Sequence, residues 1–284
     1  HLNYMNDQFR IAQKLGLMFR PETPLPDDIK NWAISQLKAK SPALGISQIG
    51  TKVKPWPQSL QPDLMERDTM FANWFQRNKI GDASNASNAE RQANRKDNLM
   101  DEKDELKFSH RNVYGKDQIR LRFTAFWANH FTTGNTHDNR NHIGHAIDEA
   151  ILANLNGDFS HMLYKMTSHP SMLIYLDNIF SAGPNSKEVE WAKRNGKQAG
   201  LNDNLGRELL ELHTVSPSAN YSEDDIRNAA KVLAGWGVFP GMLWGNNKIT
   251  LKQKHAKLIQ MAGTTNTWDF FKRDAAEPGT KTVM

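Results

Sequence analysis

The stretch between Gly200 and Thr214 holds the chain's densest set of residues whose types could do chemistry. Placed on a helix, four of its polar side chains share about a third of the circumference and border a stripe of leucines. We name this set the polar ridge: Asn204, Arg207, Glu208 and Glu211. A carboxylate pair oriented by an arginine can do acid–base work or hold a cation. The plainer interpretation, which the pattern alone favours, is an ordinary i,i+4 ion pair between Arg207 and Glu211.

The leucine stripe beside the ridge predicts which face of this helix is buried. It consists of Leu201, Leu205, Leu209 and Leu212. Because the ridge borders that face, we expect a partly buried polar cluster, since buried charges must be paired. Neighbouring helices are expected to add one of three side chains: His130, Asn129 or Asp177. His213 falls on a different side from Glu211, so Glu208, Glu211 and His213 do not form a one-face metal triad.

Two other segments place histidines and amides in helical patterns. His130 shares the aromatic face of its helix, as a packed histidine usually does, and Asn129 lies off that face near the helix end. His169 stands at the N-cap position of a later helix, where Ser, Thr, Asn or Asp is preferred, and this hints at another role. Asp177 and Asn178 follow that helix and could simply end it.

A histidine cluster lies between these segments. His142 and His145 share a helix face at i,i+3 and could bind a transition metal. Other nearby side chains of suitable type are His137, Asp138 and Asp148. The spacing fixes no third ligand, so a solvated polar face is favoured and we assign no metal site. The chain also has no Walker loop, GxGxxG, GxSxG or zinc-finger spacing, and it indicates no particular cofactor.

Composition narrows the class of protein. The 284 residues are 38% hydrophobic and 24% charged, which is ordinary for a globular chain and excludes wholesale disorder. Mean hydropathy is −0.67, and no apolar run approaches the roughly 18 residues of a transmembrane span. A net charge of +5 without a basic stripe does not indicate a nucleic-acid binder. The absence of cysteine excludes disulfides, thiol nucleophiles and Cys-ligated metals.

Helical periodicity dominates the chain, and strand signals are nearly absent. Apolar spacing predicts helices near 28–39, 64–78, 117–131, 139–156, 159–167, 170–178, 201–213 and 223–235. We therefore predict a mainly α fold: one multi-helix, orthogonal or bundle-like domain over 1–284, with long loops and little or no β-sheet. Its first part, 1–100, is expected to be looser and to contain a polar linker at about 81–98, whereas 101–284 is the core. Residues 181–200 are expected to form a surface excursion anchored by Trp191.

Several blocks of this sequence, taken together and in order, resemble the bacterial family called domain of unknown function 1800. The similar segments are FWANHFT, SHPSMLIYLDN, GLNDNLGRELLELHTV, YSEDDIRNAAKVLAGW and EPGTKTVM. The resemblance covers most of the chain from about Pro24 to Met284. The chain departs from the family pattern at Ala276, where a histidine is frequent, and at Asp203 and Gly206, where glutamate and alanine are usual.

This resemblance implies a helical bacterial protein that is exported, hence periplasmic or secreted, and that continues past the last residue here. It implies a companion protein of the alkaline-phosphatase-like superfamily but no established reaction. Eleven polar residues fall on signature positions, which suggests a common pocket or a buried polar network. They are Asn129, His130, His169, Asp177, Asn178, Asn202, Asn204, Arg207, Glu208, Glu211 and His213.

Three functions remain open at this point. The first is a hydrolase acting on an envelope or extracellular polymer such as a glycan, with Glu208 and Glu211 as catalytic carboxylates. Arg207 and either His130 or His213 would assist that chemistry. The second is a non-catalytic scaffold or assembly protein of the cell envelope, in which the ridge only fixes helix packing. The third is a metal- or ligand-binding module that uses carboxylate and histidine ligands. The candidate ligand-binding residues are Asn129, His169, Asp177, Asn178, Asn202, Asn204 and His213.

Overall fold

The protein is described from a computed structural model. The described residues are 9–10, 13–15, 27–38, 52–68, 70, 100–136, 139–238 and 270–284. In these ranges the chain is mostly helical and contains no strand or sheet, which confirms the predicted mainly α fold. Extended pairing there takes the form of isolated bridges, among them Ser181–Gly200 and Trp236–Phe271. No helix within the same ranges is long and apolar enough to cross a membrane.

The chain divides into two compact units, each assembled from three separate stretches. The first unit comprises His1–Gln61, Glu102–Thr132 and Ile147–Met162. The second comprises Pro62–Asp101, Thr133–Ala146 and Leu163–Met284. Of the candidate site residues, Asn129 and His130 belong to the first unit and all the others to the second. The one-domain organisation stays a prediction, and the expected linker at about 81–98 lies outside the described residues.

Three helices contribute to the first unit: α1 (Ile29–Lys38), α2 (Met100–Tyr114) and α3 (Gln118–His130). Arg120 of α3 is buried and joins two other elements through its guanidinium. It donates to the Leu37 carbonyl oxygen across 3.1 Å and to that of Leu152 across 2.9 Å. The Leu37 carbonyl lies at the end of α1, where helix carbonyls lack helical partners and carry partial negative charge. Arg120 therefore satisfies a carbonyl oxygen at the C-terminal end of α1.

The predicted helix at 139–156 begins later and changes its pitch. An α-helical turn, α4 (Ile143–His145), continues as a π-helical stretch (Ala146–Ile151) and then a 3₁₀ turn (Leu152–Asn154). Helix α5 covers Phe159–Thr167, as predicted. Helix α6 covers Pro170–Tyr175 and ends earlier than predicted, because Asp177 adopts a left-handed conformation with φ 57°.

The surface excursion expected at 181–200 instead contains a helix, α7 (Lys187–Arg194). Its buried residues are Val189 and Ala192, whereas Trp191 is 49% exposed and does not anchor the segment. Ser186 caps the helix by accepting from the Val189 amide. The helix thus packs through the small apolar residues Val189 and Ala192, and the Trp191 side chain is exposed to solvent.

Helices α8 (Asn204–Glu208) and α9 (Glu223–Leu233) pack closely against each other in the second unit. A π-helical stretch, Leu209–His213, continues α8. The close approach depends on Gly206, where a Cβ atom would lie 2.7 Å from the Ala230 amide nitrogen and 2.8 Å from the Ile226 carbonyl oxygen. Ser222 and Asp225 start α9 with the predicted capping box.

The segment 270–284 crosses the second unit and ties its elements together. Lys272 donates its amide to the Gly235 carbonyl oxygen, and Ala275 accepts from the Gly183 amide. The Glu277 carboxylate accepts from both the amide and the side chain of Asn185. These contacts place the EPG-containing block against the loop that precedes α7.

Candidate functional site

Arg207 is the centre of the polar ridge. Its guanidinium binds Glu223 through two parallel hydrogen bonds, 3.1 Å from Nη1 and 2.9 Å from Nη2. Nη1 also donates to Glu211 across 3.2 Å, and Asp203 Oδ2 lies 3.5 Å from Nη2. The hydrogen bonds to Glu223 and then Glu211 raise the pKa of Arg207 further above its ordinary value. One guanidinium therefore holds three carboxylates.

This ion-pair network lies at the surface of the second unit. The exposed fractions of the side chains are 35% for Arg207, 29% for Glu211 and 70% for Glu223, and Asn204 is exposed as well. Of the four ridge residues, Arg207 and Glu211 are paired, and this pair is more solvated than predicted. Its partner from a neighbouring helix is Glu223 of α9, which was not predicted. The close packing of α8 on α9 at Gly206 brings Glu223 within reach of Arg207.

Glu208 differs from the other ridge carboxylates. No side chain or amide in the described ranges gives it a hydrogen bond or ion pair, and it is half-buried. Burial, followed by the charge of Glu211, raises the pKa of Glu208 above its ordinary value. Glu211, by contrast, accepts a hydrogen bond from Arg207. Two carboxylates one turn apart thus have different surroundings, a common feature of acid–base sites.

The buried face beyond α8 is not the predicted leucine stripe. Leu205 and Leu210 are buried, whereas Leu212 is 60% exposed. His213 is only 4% exposed and takes the inward position. The π-helical stretch has an extra residue in its turn, so the side chains that follow rotate relative to a regular helix. His213 is consequently a core residue.

His142 is buried in the second unit and His145 is half-buried, which corrects the prediction of a solvated face. His142 and Asp68 are each 0% exposed, with 2.8 Å between His142 Nε2 and Asp68 Oδ1. Burial lowers the pKa of His142 to about 3, and Arg67 and His145 act in the same direction. The neutral ring therefore donates its Nε2–H to the Asp68 carboxylate. Nothing in the sequence spacing links Asp68 to this histidine.

His145 and His169 form the second half of this cluster. His145 Nδ1 lies 3.0 Å from His169 Nε2, and His169 Nδ1 accepts from the Ser171 amide. His169 is thus the N-cap of α6, as its position predicted. His137 and Asp138 lie outside the described residues. Among the residues that are described, no three His, Cys, Asp or Glu side chains form a group that could hold a metal ion.

Three further candidates of the second unit take part in chain turns. Asn178 is buried and donates from Nδ2 to the Leu233 and Trp236 carbonyl oxygens, which fixes the end of α9. Asp177 is exposed and forms the left-handed turn after α6. The Asn202 side chain accepts from the Asn204 amide just before α8.

Asn129 and His130 lie at the end of α3 in the first unit. His130 contacts three aromatic rings, with centroid distances of 5.3 Å to Trp127, 4.7 Å to Phe131 and 6.2 Å to Phe159. It shares the aromatic face, as predicted. Asn129 is exposed, and its main-chain carbonyl oxygen accepts a hydrogen bond from the Thr132 hydroxyl.

The second unit is therefore a set of packed helices with a surface ridge of carboxylates around one arginine and a buried histidine cluster. A family model described as "Protein of unknown function (DUF1800)" matches residues 13–284, nearly the whole chain. The chain belongs to this family, which confirms the resemblance seen in its motifs. No curated protein matches the chain, and no solved structure matches it either.

Proposed function

We propose that this protein is a hydrolase acting on an envelope or extracellular polymer, with Glu208 as its general acid. The observation that carries the proposal is the contrast within the ridge. Arg207 binds three other carboxylates, while Glu208 has no such partner among the described residues and keeps its proton more readily. A general acid must be protonated near the working pH and have its carboxyl group accessible to the leaving group.

Glu211 supplies the second carboxylate in this proposal. Arg207 orients it beside the acid through a hydrogen bond. In glycosidases, a carboxyl separation of about 5–5.5 Å serves a retaining mechanism and a wider one an inverting mechanism. Both groups here are on one helix, so the polymer would lie across the ridge, with the bond to be cleaved beside Glu208.

The proposal includes a location and a partner. Export to the periplasm or the exterior fits the family resemblance, and a glycan is the polymer class to test first. A companion protein of the alkaline-phosphatase-like superfamily is proposed on the same resemblance. A full-length precursor carrying only a short cytosolic leader would contradict the location.

A screen of envelope and extracellular glycans, read as the release of reducing ends, tests the activity. Glu208→Gln should abolish release because the amide cannot donate the required proton. Glu190→Gln is the matched control, since Glu190 is an exposed glutamate on α7 and is not one of the ridge residues. Hydrolysis by the Glu208→Gln variant at the wild-type rate would overturn the assignment.

A second candidate function is supported by a different observation. Arg207 bonds Glu223 through both Nη atoms and so ties α8 to α9. That arrangement suits a non-catalytic scaffold or assembly protein, in which the ridge fixes helix packing. The scaffold is favoured if Glu208→Gln changes no activity while Arg207→Ala weakens capture of the companion protein.

A further inference from the structure

A chain of hydrogen bonds in the second unit fixes the protons of two histidines. Ser171 donates its amide to His169 Nδ1 across 3.0 Å, and a backbone amide can only donate. His169 Nδ1 therefore has no proton, so the neutral ring carries its proton on Nε2. That atom lies 3.0 Å from His145 Nδ1, which must accept. His145 in turn carries its own proton on Nε2.

Neither ring can take a second proton and keep these contacts. A proton on His145 Nδ1 would face the Nε2–H of His169, donor against donor. A proton on His169 Nδ1 would face the Ser171 amide in the same way. The pair is therefore compatible only with two neutral imidazoles.

The surroundings of the pair also disfavour a positive charge. His169 is completely buried, and burial is the largest cause that lowers its pKa well below the ordinary value. Four groups act in the same direction: His145, His142, Arg67 and Lys165. The carboxylate of this cluster, Asp68, is bonded to His142 Nε2.

Loss of the contact between His145 and His169 would destabilise a helix in the core of the second unit. His169 caps α6, and every residue of that helix from Pro170 to Ile174 is buried. An N-cap satisfies an amide that has no helical partner, so a protonated His169 would leave the Ser171 amide unsatisfied. The first turn of α4 and the start of α6 are thus joined by contacts that acid removes.

We propose that the His145–His169 pair is an acid-sensitive latch between α4 and α6. The latch is closed while both rings are neutral and opens when either ring takes a second proton. It does not depend on the hydrolase proposal, because no residue of the ridge takes part.

Nitrogen NMR of the full chain tests the proton positions directly. At about pH 7.5, a unit above the ordinary histidine pKa, His169 should be protonated on Nε2 and bare at Nδ1. His145 should show the same tautomer. A proton on His169 Nδ1 at this pH would overturn the proposal, and this measurement needs no variant.

Hydrogen exchange of the Ser171 amide, corrected for the intrinsic rate, tests the opening. When the latch titrates, opening should increase about tenfold for each pH unit, as expected for one linked proton. His169→Asn should remove this dependence, because asparagine caps a helix without titrating. His142→Asn and the exposed His161→Gln should keep it.

Two results of this exchange experiment would overturn the latch. One is protection of the Ser171 amide that stays constant as the pH falls. The other is a response that disappears in His142→Asn and persists in His169→Asn, since the titrating group would then be His142. The tautomer measurement on the wild-type protein still decides the matter if His169→Asn does not fold.

Discussion

Arg207 and Glu208 are adjacent in sequence but have opposite environments. Arg207 is surrounded by carboxylates, and Glu208 has none of the described cations beside it. Helical spacing predicted the Arg207–Glu211 pair, and the structure confirms it. Glu223 lies 16 positions from Arg207, so its contact depends on the packing of two helices and leaves no local signal. The same holds for Asp68 and His142, which are 74 positions apart.

Replacing Arg207 tests how exposed the ridge is. Arg207→Ala should lower Tm only slightly, because solvent screens ion pairs between side chains this exposed. The difference from wild type should shrink further at about 1 M NaCl, where charges are screened within about 3 Å. Thermal unfolding at low and high salt measures both effects. A large loss that salt does not change would contradict a solvated ridge and restore the buried cluster.

Apolar spacing predicted the positions of the helices but not their pitch. The predicted bounds are close for α1, α3, α5 and α9, where apolar residues recur regularly. The two π-helical stretches, Ala146–Ile151 and Leu209–His213, were not predicted. A π turn needs one extra residue and is rare, and it is stabilised by packing that local periodicity does not report. This is why Leu212 was predicted to be buried in place of His213.

Gly206 tests the packing of α8 on α9. Sequence alone suggests that glycine weakens this helix by about 1 kcal/mol relative to alanine. A Cβ atom there would approach the Ala230 nitrogen to 2.7 Å, so the two backbones would have to separate. Gly206→Ala should therefore cost a net of about 0–2 kcal/mol, overpacking minus the gain in helix propensity. Urea unfolding measures it, with Gly200→Ala as the control because a Cβ there meets nothing within 4 Å. A more stable Gly206→Ala variant would contradict the close approach.

Arg120 tests how the first unit is held together. Arg120→Met should cost about 2–3 kcal/mol, because two carbonyl oxygens lose their charged donor while the aliphatic packing is kept. Arg122→Met, on the exposed side of the same helix, should change stability little. Equal losses for the two variants would show that general charge on α3, and not these hydrogen bonds, stabilises the unit.

At the scale of the molecule, the sequence predicted the fold class and the family. Both rest on long patterns: helical periodicity along the chain and signature blocks in order. The division into two units has no such pattern, because each unit combines stretches far apart in the sequence. The family match covers both units, so the buried histidines and the surface ridge belong to the same family region.

The buried histidines should make stability depend on pH. The pKa of His142 is lowered to about 3 and that of His169 is also lowered, so the folded protein binds fewer protons than the unfolded chain below about pH 6.5. This stability is fully present above that pH and is lost as the pH falls toward the folded pKa values. Carboxylates with lowered pKa values, such as Glu277, also stabilise the fold, and their contribution is lost only below about pH 4.5.

Urea unfolding between about pH 4.5 and 6.5 isolates the histidine contribution. The free energy of unfolding should fall by about 1.4 kcal/mol per pH unit for each buried histidine that titrates. His142→Asn should reduce this slope by one proton, since asparagine does not titrate. Glu208, with its raised pKa, acts in the opposite direction but is only half-buried, so the histidines should dominate. A slope that His142→Asn leaves unchanged would mean that His142 is accessible to protons in the folded state, contrary to its burial beside Asp68.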